Sequence, residues 1–103
     1  MPMFYIYVLY SESFDKYYVG YTNDIERRLE EHNTSKLNTY THKYCPWEVK
    51  ALFKVSEDRG EAMKMERFIK KQKSRTIIVQ LVDPSFVPTG KLARLVRVPH
   101  VRD

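Results

Sequence analysis

The stretch Phe4-Tyr5-Ile6-Tyr7-Val8-Leu9-Tyr10, together with Tyr17-Tyr18-Val19-Gly20-Tyr21 after the polar connection Ser11 to Lys16, decides the fold. Both runs are aromatic and β-branched, and a short polar link between them reads as a hairpin. With Tyr10 and Tyr17 flanking the loop as a pair, Tyr7 faces Gly20 and Leu9 faces Tyr18. Strand alternation then puts Tyr7 and Tyr18 on one face, and Ile6, Val8, Tyr17 and Val19 on the other as the apolar side. Gly20 is expected to leave backbone open beside Tyr7, where a ligand could approach.

Working outward, Asn23 with Glu26 three residues later is an asparagine form of the capping box, predicting a helix from about Asp24 to Asn33. Asn33 suits a left-handed terminal position. Ile25 and Leu29 mark the inward stripe. Arg28 and His32, four residues apart, stack on one helix face at the edge of that stripe. One reading makes Arg28 an exposed partner of Asp24 and His32 a packed helix end; the other makes both functional.

Residues 33–46 read as a polar surface loop carrying Lys36, His42 and Lys43. Trp47 to Val55 alternates imperfectly and predicts a third strand with Trp47, Val49, Ala51, Phe53 and Val55 on one face. Asp58 and Glu61 signal a helix over 59–73, with Ala62, Met65 and Ile69 inward. Glu66 borders that stripe, and spacing alone makes it an ion-pair partner of Lys70. Over 74–82, Ile77, Ile78, Leu81 and Val82 fit a helical face behind a Ser74 cap, against a local strand propensity. From Asp83 the chain becomes proline-punctuated and basic, with Lys91, Arg94, Arg97, His100 and Arg102. It reads as a phosphate-binding arm, a partly disordered tail, or, favoured by the alternation around Leu95, Val96 and Val98, an ordered strap.

At 103 residues the chain has room for one core. A net charge of +5 favours an acidic polymer as partner. No apolar run is long enough to span a bilayer, and Met1-Pro2-Met3-Phe4 is not a signal peptide. The single Cys45 excludes an intramolecular disulfide and reads as a small core residue. With His32, His42 and His100 scattered, no zinc site is expected, and a reducing cytoplasm is the expected compartment.

Tyr5-Ile6-Tyr7, then Tyr18-Val19-Gly20, then Arg28-Leu29-Glu30-Glu31-His32 and a later helix with Glu66, resembles the GIY-YIG nuclease superfamily. The likeness is to its small single-domain bacterial branch, related to the UvrC amino-terminal nuclease domain and the intron-homing endonucleases, and covers about residues 4–82. Two positions depart from the pattern: Tyr5 replaces the first glycine of the name motif, and Tyr21 stands where the UvrC domain has lysine. The resemblance implies an α/β (α+β) fold with a small three-stranded antiparallel sheet flanked by helices. Residues 1–82 would form the nuclease-like domain and 83–103 a basic tail packed on it or extending from it. It also implies a divalent-metal-dependent endonuclease acting on nucleic acid, DNA foremost, with a non-catalytic nucleic-acid-binding module as the alternative. Tyr7, Tyr18, Arg28, His32 and Glu66 become the catalytic candidates, Glu66 holding one Mg²⁺ or Mn²⁺. Arg28 would grip the scissile phosphate, and Tyr7, Tyr18 or His32 would serve as base. Lys36, Lys43, Lys70, Lys73, Arg94 and Arg97 are the candidate phosphate contacts.

Overall fold

The computed structural model describes residues 2–34 and 39–99. Its hairpin joins β1 (Phe4–Ser11) to β2 (Lys16–Thr22) in the expected register, with Tyr7 opposite Gly20, Leu9 opposite Tyr18 and Tyr10 opposite Tyr17. Pairing continues one step further, to Ser11 and Lys16, which shortens the loop to residues 12–15. Asp15 takes a left-handed backbone there (φ 53°), and its carboxylate accepts from the Tyr10 hydroxyl at 2.8 Å. Aspartate tolerates that conformation better than most side chains.

The helix α1 (Ile25–Thr34) starts one residue later than expected, because Asp24 rather than Asn23 is the cap: its Oδ1 accepts from the Arg27 amide at 3.1 Å. Asn33 stays helical instead of ending the helix. Its side chain clamps the next strand by accepting from the Trp47 amide at 2.6 Å and donating to the Trp47 carbonyl at 3.1 Å. The short α2 (Thr39–Lys43) occupies part of the segment expected to be irregular.

The strand β3 (Glu48–Ser56) pairs antiparallel with β1 but shifts register between Val8 and Leu9, where Ala51 and Val49 are the successive partners. That irregularity turns the strand over. Ala51, Phe53 and Val55 pack with Ile6 and Val8, whereas Trp47 and Val49 pack with Tyr7, Leu9 and Leu52 on the other face. The expected single face from Trp47 to Val55 is therefore wrong.

Two helices cover the Ile6 and Val8 face: α3 (Arg59–Lys71), capped by Asp58, and α4 (Arg75–Val82), capped by Ser74. Ala62, Met65, Ile69 and Leu81 are their buried residues. The sheet has four strands, not three, in the order β2-β1-β3-β4. The added β4 (Val96–Arg97) pairs with Phe53 and Lys54, because the chain beyond α4 returns over the helices and buries Leu92 and Leu95 in the same core. Arg97 locks this strap: its guanidinium donates to the Leu81 and Asp83 carbonyls at 3.0 and 2.8 Å and lies 4.7 Å from the Phe53 ring centroid.

The space at Gly20 is filled by Tyr7 itself rather than left open for a ligand. A Cβ at position 20 would collide with the Tyr7 hydroxyl and stand 2.5 Å from its Cζ. The ring therefore crosses the edge strand β2 where no side chain blocks it. Gly20→Ala should destabilise the protein by about 1–3 kcal/mol through overpacking. The same substitution should cost clearly less in a Tyr7→Leu background, a coupling that denaturant unfolding of the four-member cycle measures. Additive costs would mean that the ring does not need the glycine.

Candidate active site

A cleft of about 380 Å³ opens along β2, walled by α1 on one side and α3 on the other. Tyr7 and Tyr18 reach it from the hairpin, Arg28 from α1 and Glu66 from α3, so four of the five expected catalytic residues line one cavity. The fifth, His32, is fully buried behind Tyr7, with its Nε2 2.8 Å from the Tyr7 hydroxyl. The Tyr18 ring stands edge-on to the imidazole, centroids 5.0 Å apart. Both tyrosines are held because hairpin parity points them the same way, and His32 meets them because α1 lies over that face through Ile25 and Leu29.

Charge inside the cleft is arranged in small pairs. The Arg28 side chain pairs not with Asp24, as one reading of the spacing had it, but with Glu31, at 3.0 Å, while the Asp24 carboxylate lies 3.9 Å from Arg27. Burial weighs against the Arg28 charge, yet Tyr7 and Glu31 beside it hold its pKa above the ordinary arginine value. In return Arg28 holds the Glu31 carboxyl below the usual carboxylate range. Glu66 lies 3.5 Å from Lys70 one helical turn on, and the Lys70 ammonium sits 5.0 Å from the Tyr18 ring centroid. Burial drives the Tyr7 phenol well above its ordinary pKa, a rise only partly offset by Arg28. Burial also pushes His32 down to about 4, helped by the charges of Arg28 and Lys70 and opposed by Glu31. At neutral pH the pair therefore rests as phenol and neutral imidazole.

Glu66 is the one carboxylate among the described residues lining the cleft, and no cluster of three potential ligands occurs among those residues. A single oxygen donor open to solvent suits a hard divalent ion that keeps its waters and takes further oxygens from a phosphate. It does not suit an all-protein metal cage. Arg27 and Arg59 also line the cleft, unanticipated by spacing. Arg59 donates to the Tyr21 hydroxyl at 3.3 Å, so the tyrosine standing at the lysine position of the UvrC pattern carries a cation beside it.

The other candidates sit elsewhere. Lys70 and Lys73 line an adjoining groove, and Lys43 lies 5.4 Å from the Tyr44 ring centroid. Lys36 falls outside the described residues. Arg94 bonds Glu61 at 2.7 Å in a separate depression, and Arg97 is engaged in the strap, so neither side chain faces the cleft.

The His32 shift has a testable sign. Its folded pKa of about 4 lies below its ordinary value of 6.5, so its stabilising contribution is complete above pH 6.5 and is lost as pH falls toward 4. Folding stability should drop by about 2–3 kcal/mol across that window. The loss tied to Glu31 comes lower, beneath its ordinary 4.5. Urea unfolding at pH 7, 6 and 5 should show the slope in the parent and a flatter one in His32→Gln. Equal slopes would place a charged His32 in the folded protein.

Comparison with known proteins identifies the domain. Residues 3–77 match the family model described as the GIY-YIG catalytic domain. A UPF0213 protein of Bacillus cereus (strain ATCC 10987 / NRS 248) is 37% identical over 79 residues, covering 75% of this chain and 80% of that one. A UPF0213 protein of Streptococcus pyogenes serotype M3 is 38% identical over 73 residues, covering 70% and 76% respectively. No helix among the described residues is long and apolar enough to cross a membrane. The domain match supports a nuclease-type function, and on both counts the chain belongs to the GIY-YIG family.

Proposed function

We propose that this chain is a cytoplasmic, divalent-metal-dependent endonuclease that hydrolyses phosphodiester bonds in nucleic acid, DNA foremost. The observation that carries the proposal is the convergence of Tyr7, Arg28 and Glu66 on one cleft, with His32 bonded behind Tyr7. Cleaving a phosphodiester requires a proton taken from water, a cation over the phosphorus centre and relief of charge on the departing oxygen. Glu66 would hold one Mg²⁺ or Mn²⁺, which supplies Lewis-acid stabilisation of phosphate oxygen when bound.

The protonation states of the resting pair select the proton path. A free tyrosinate is disfavoured by burial, so Tyr7 acts without first losing its proton. As the water oxygen attacks phosphorus and the bond to the departing oxygen breaks, Tyr7 Oη takes the water proton while its own proton passes to His32 Nε2, 2.8 Å away, and the departing alkoxide takes a proton from solvent. His32, neutral at pH 7, has the lone pair to accept it, and Glu31 is the carboxylate that favours the resulting imidazolium. Arg28 exchanges its bond to Glu31 for two oxygens of the phosphate, its planar fork matching the charge that builds there. Tyr18, edge-on to the imidazole, keeps the relay aligned.

Purified protein incubated with duplex, branched and single-stranded DNA and with RNA, in Mg²⁺, Mn²⁺ or chelator, tests the proposal directly. New ends should appear only with metal. Tyr7→Phe keeps the ring over Gly20 and should lower cleavage about 10²–10⁴-fold. Glu66→Gln should abolish metal-dependent cleavage while costing about 0.5 kcal/mol or less of stability through the lost Lys70 pair. Arg28→Lys should bind nucleic acid but cleave poorly, since charge survives without the bidentate geometry. Cleavage by Glu66→Gln equal to the parent's would remove this carboxylate from the chemistry. No cleavage by the parent on any substrate would leave a nucleic-acid-binding module.

A further inference from the structure

A second groove, about 450 Å³, adjoins the cleft at Tyr18, which lines both. Its walls come from the hairpin, from Tyr40 of α2 and from the corner between α3 and α4. Lys16, Lys70, Lys73 and Arg75 face it, against one acid, Asp15, already bonded to Arg75 at 2.6 Å. Arg75 is paired with Asp15 and Lys70 with Glu66, so the groove's excess positive charge comes from Lys16 and Lys73.

Rings continue the same line. From Tyr18, centroid spacings of 6.1 Å to Tyr40, 5.0 Å to Tyr44 and 5.3 Å to Phe14 trace a row leading away from the cleft. Tyr40 and Phe14 are 44% and 48% exposed, so both rings are open to solvent. Ammonium groups flank the row, Lys16 and Lys43 lying 5.2 and 5.4 Å from the Tyr44 centroid. Lys73, on the groove wall, ends α3 with φ 50°, its amide donating to the Lys70 carbonyl at 3.2 Å. Glycine is the favoured residue at such a left-handed terminus, and a lysine there is strained.

We infer that this groove and its ring row hold an unpaired nucleic-acid strand, so that the substrate carries a single-stranded segment beside the bond to be cut. Stacking requires the choice of an unpaired strand. Aromatic faces engage bases only when those bases are splayed out of a helix, whereas a duplex would meet the lysines alone. Tyr18 joins the two sites, and Lys70 stands one helical turn beyond Glu66, so a strand leaving the cleft enters the groove directly. The position of the scissile bond rests on the proposed nuclease activity; binding of the strand does not.

The test is an anisotropy titration in chelator, using a fluorescent oligothymidine and a blunt duplex of equal length, followed by cleavage of forked and blunt duplexes in Mg²⁺. The parent should bind the single strand more tightly and cut the fork faster. Tyr40→Ser should lose about fivefold or more in single-strand affinity, Tyr40→Phe should retain it, and duplex affinity should not move in either. Lys73→Gly relieves the backbone, so its melting temperature should hold or rise while single-strand binding weakens and its log–log salt slope falls by about 0.7. That combination separates a ligand contact from a structural one. Equal parent affinity for both nucleic acids, or Lys73→Gly binding as the parent does, overturns the inference. Parallel loss on both nucleic acids also overturns it, by assigning the groove to duplex phosphates. A parent that binds single strands with these variant effects but cleaves nothing refutes the nuclease proposal and leaves the strand site standing. One that cleaves without single-strand preference does the reverse.

Discussion

The Tyr7 ring lying across Gly20, with its hydroxyl 2.8 Å from His32, is the constraint on which the rest of the site depends. It links an edge hairpin to a helix that otherwise touches the sheet through few side chains, chiefly Ile25 and Leu29. Strand parity leaves no freedom here. A one-residue slip of β1 against β2 would send Tyr7 to the α3 side and bring Ile6 or Val8 to the cleft. The register is therefore fixed by both faces at once: Ile6, Val8 and Val19 belong to one core, and Tyr7 and Leu9 to the other. Because α1 is positioned over Tyr7, Arg28 one turn before His32 is brought to the same phenol.

That placement produces a site whose resting charges are satisfied internally. Arg28 has Glu31, Glu66 has Lys70, and Tyr7 and His32 are both neutral. In the proposed reaction an incoming phosphate would offer Arg28 a better-matched partner, and a divalent ion would offer Glu66 one. Under the proposed reaction, substrate binding would be an exchange of partners rather than the creation of charge in a partly buried space, which would keep the desolvation cost of the empty site low. The two pKa shifts have a common origin in burial, and each reinforces the other: a phenol that keeps its proton is the natural donor to an imidazole that lacks one.

The hairpin was legible from the sequence because two aromatic runs and one short link admit a single symmetric pairing, and the observed register follows it through Tyr7 and Gly20. The helices over α1, α3 and α4 were legible from caps and stripes, with Asp24 taking the cap from Asn23 because both are competent and only the backbone geometry chooses. What local pattern could not carry was long-range. The irregularity between Val49 and Ala51 reverses the faces of β3 without leaving a proline or glycine to signal it. The fourth strand depends on Leu92 and Leu95 finding a core already built by α3 and α4. Spacing identified Glu66 only as a partner of Lys70, which it also is; its place in the cleft arises because α3 contacts β2, β1 and β3 alike and so overhangs the hairpin edge. Tyr40 was hidden for another reason. Its neighbourhood is polar enough to read as a loop, and only the i, i+4 recurrence of Tyr40 and Tyr44 hinted at a ring pair on a turn of helix.

The net charge of +5 favoured an acidic partner, but the fold divides that charge unequally between structure and surface. Arg97 is held by two carbonyls and an aromatic face, and Arg94 is paired with Glu61, so these two described cations of the tail are engaged within the fold. The cations near the cleft are differently placed. Arg27, Arg28 and Arg59 line it, and Lys16, Lys70 and Lys73 line the groove that shares Tyr18 with it. A positive potential gathered along β2 would draw the proposed polyanionic substrate toward that edge, while the strap packs on the far side of the sheet. The same residue types thus do opposite jobs according to what they meet. An arginine such as Arg97, held by two carbonyls and a ring face, ties the chain together, whereas Arg28 lines the cavity in which the proposed reaction would place a phosphate.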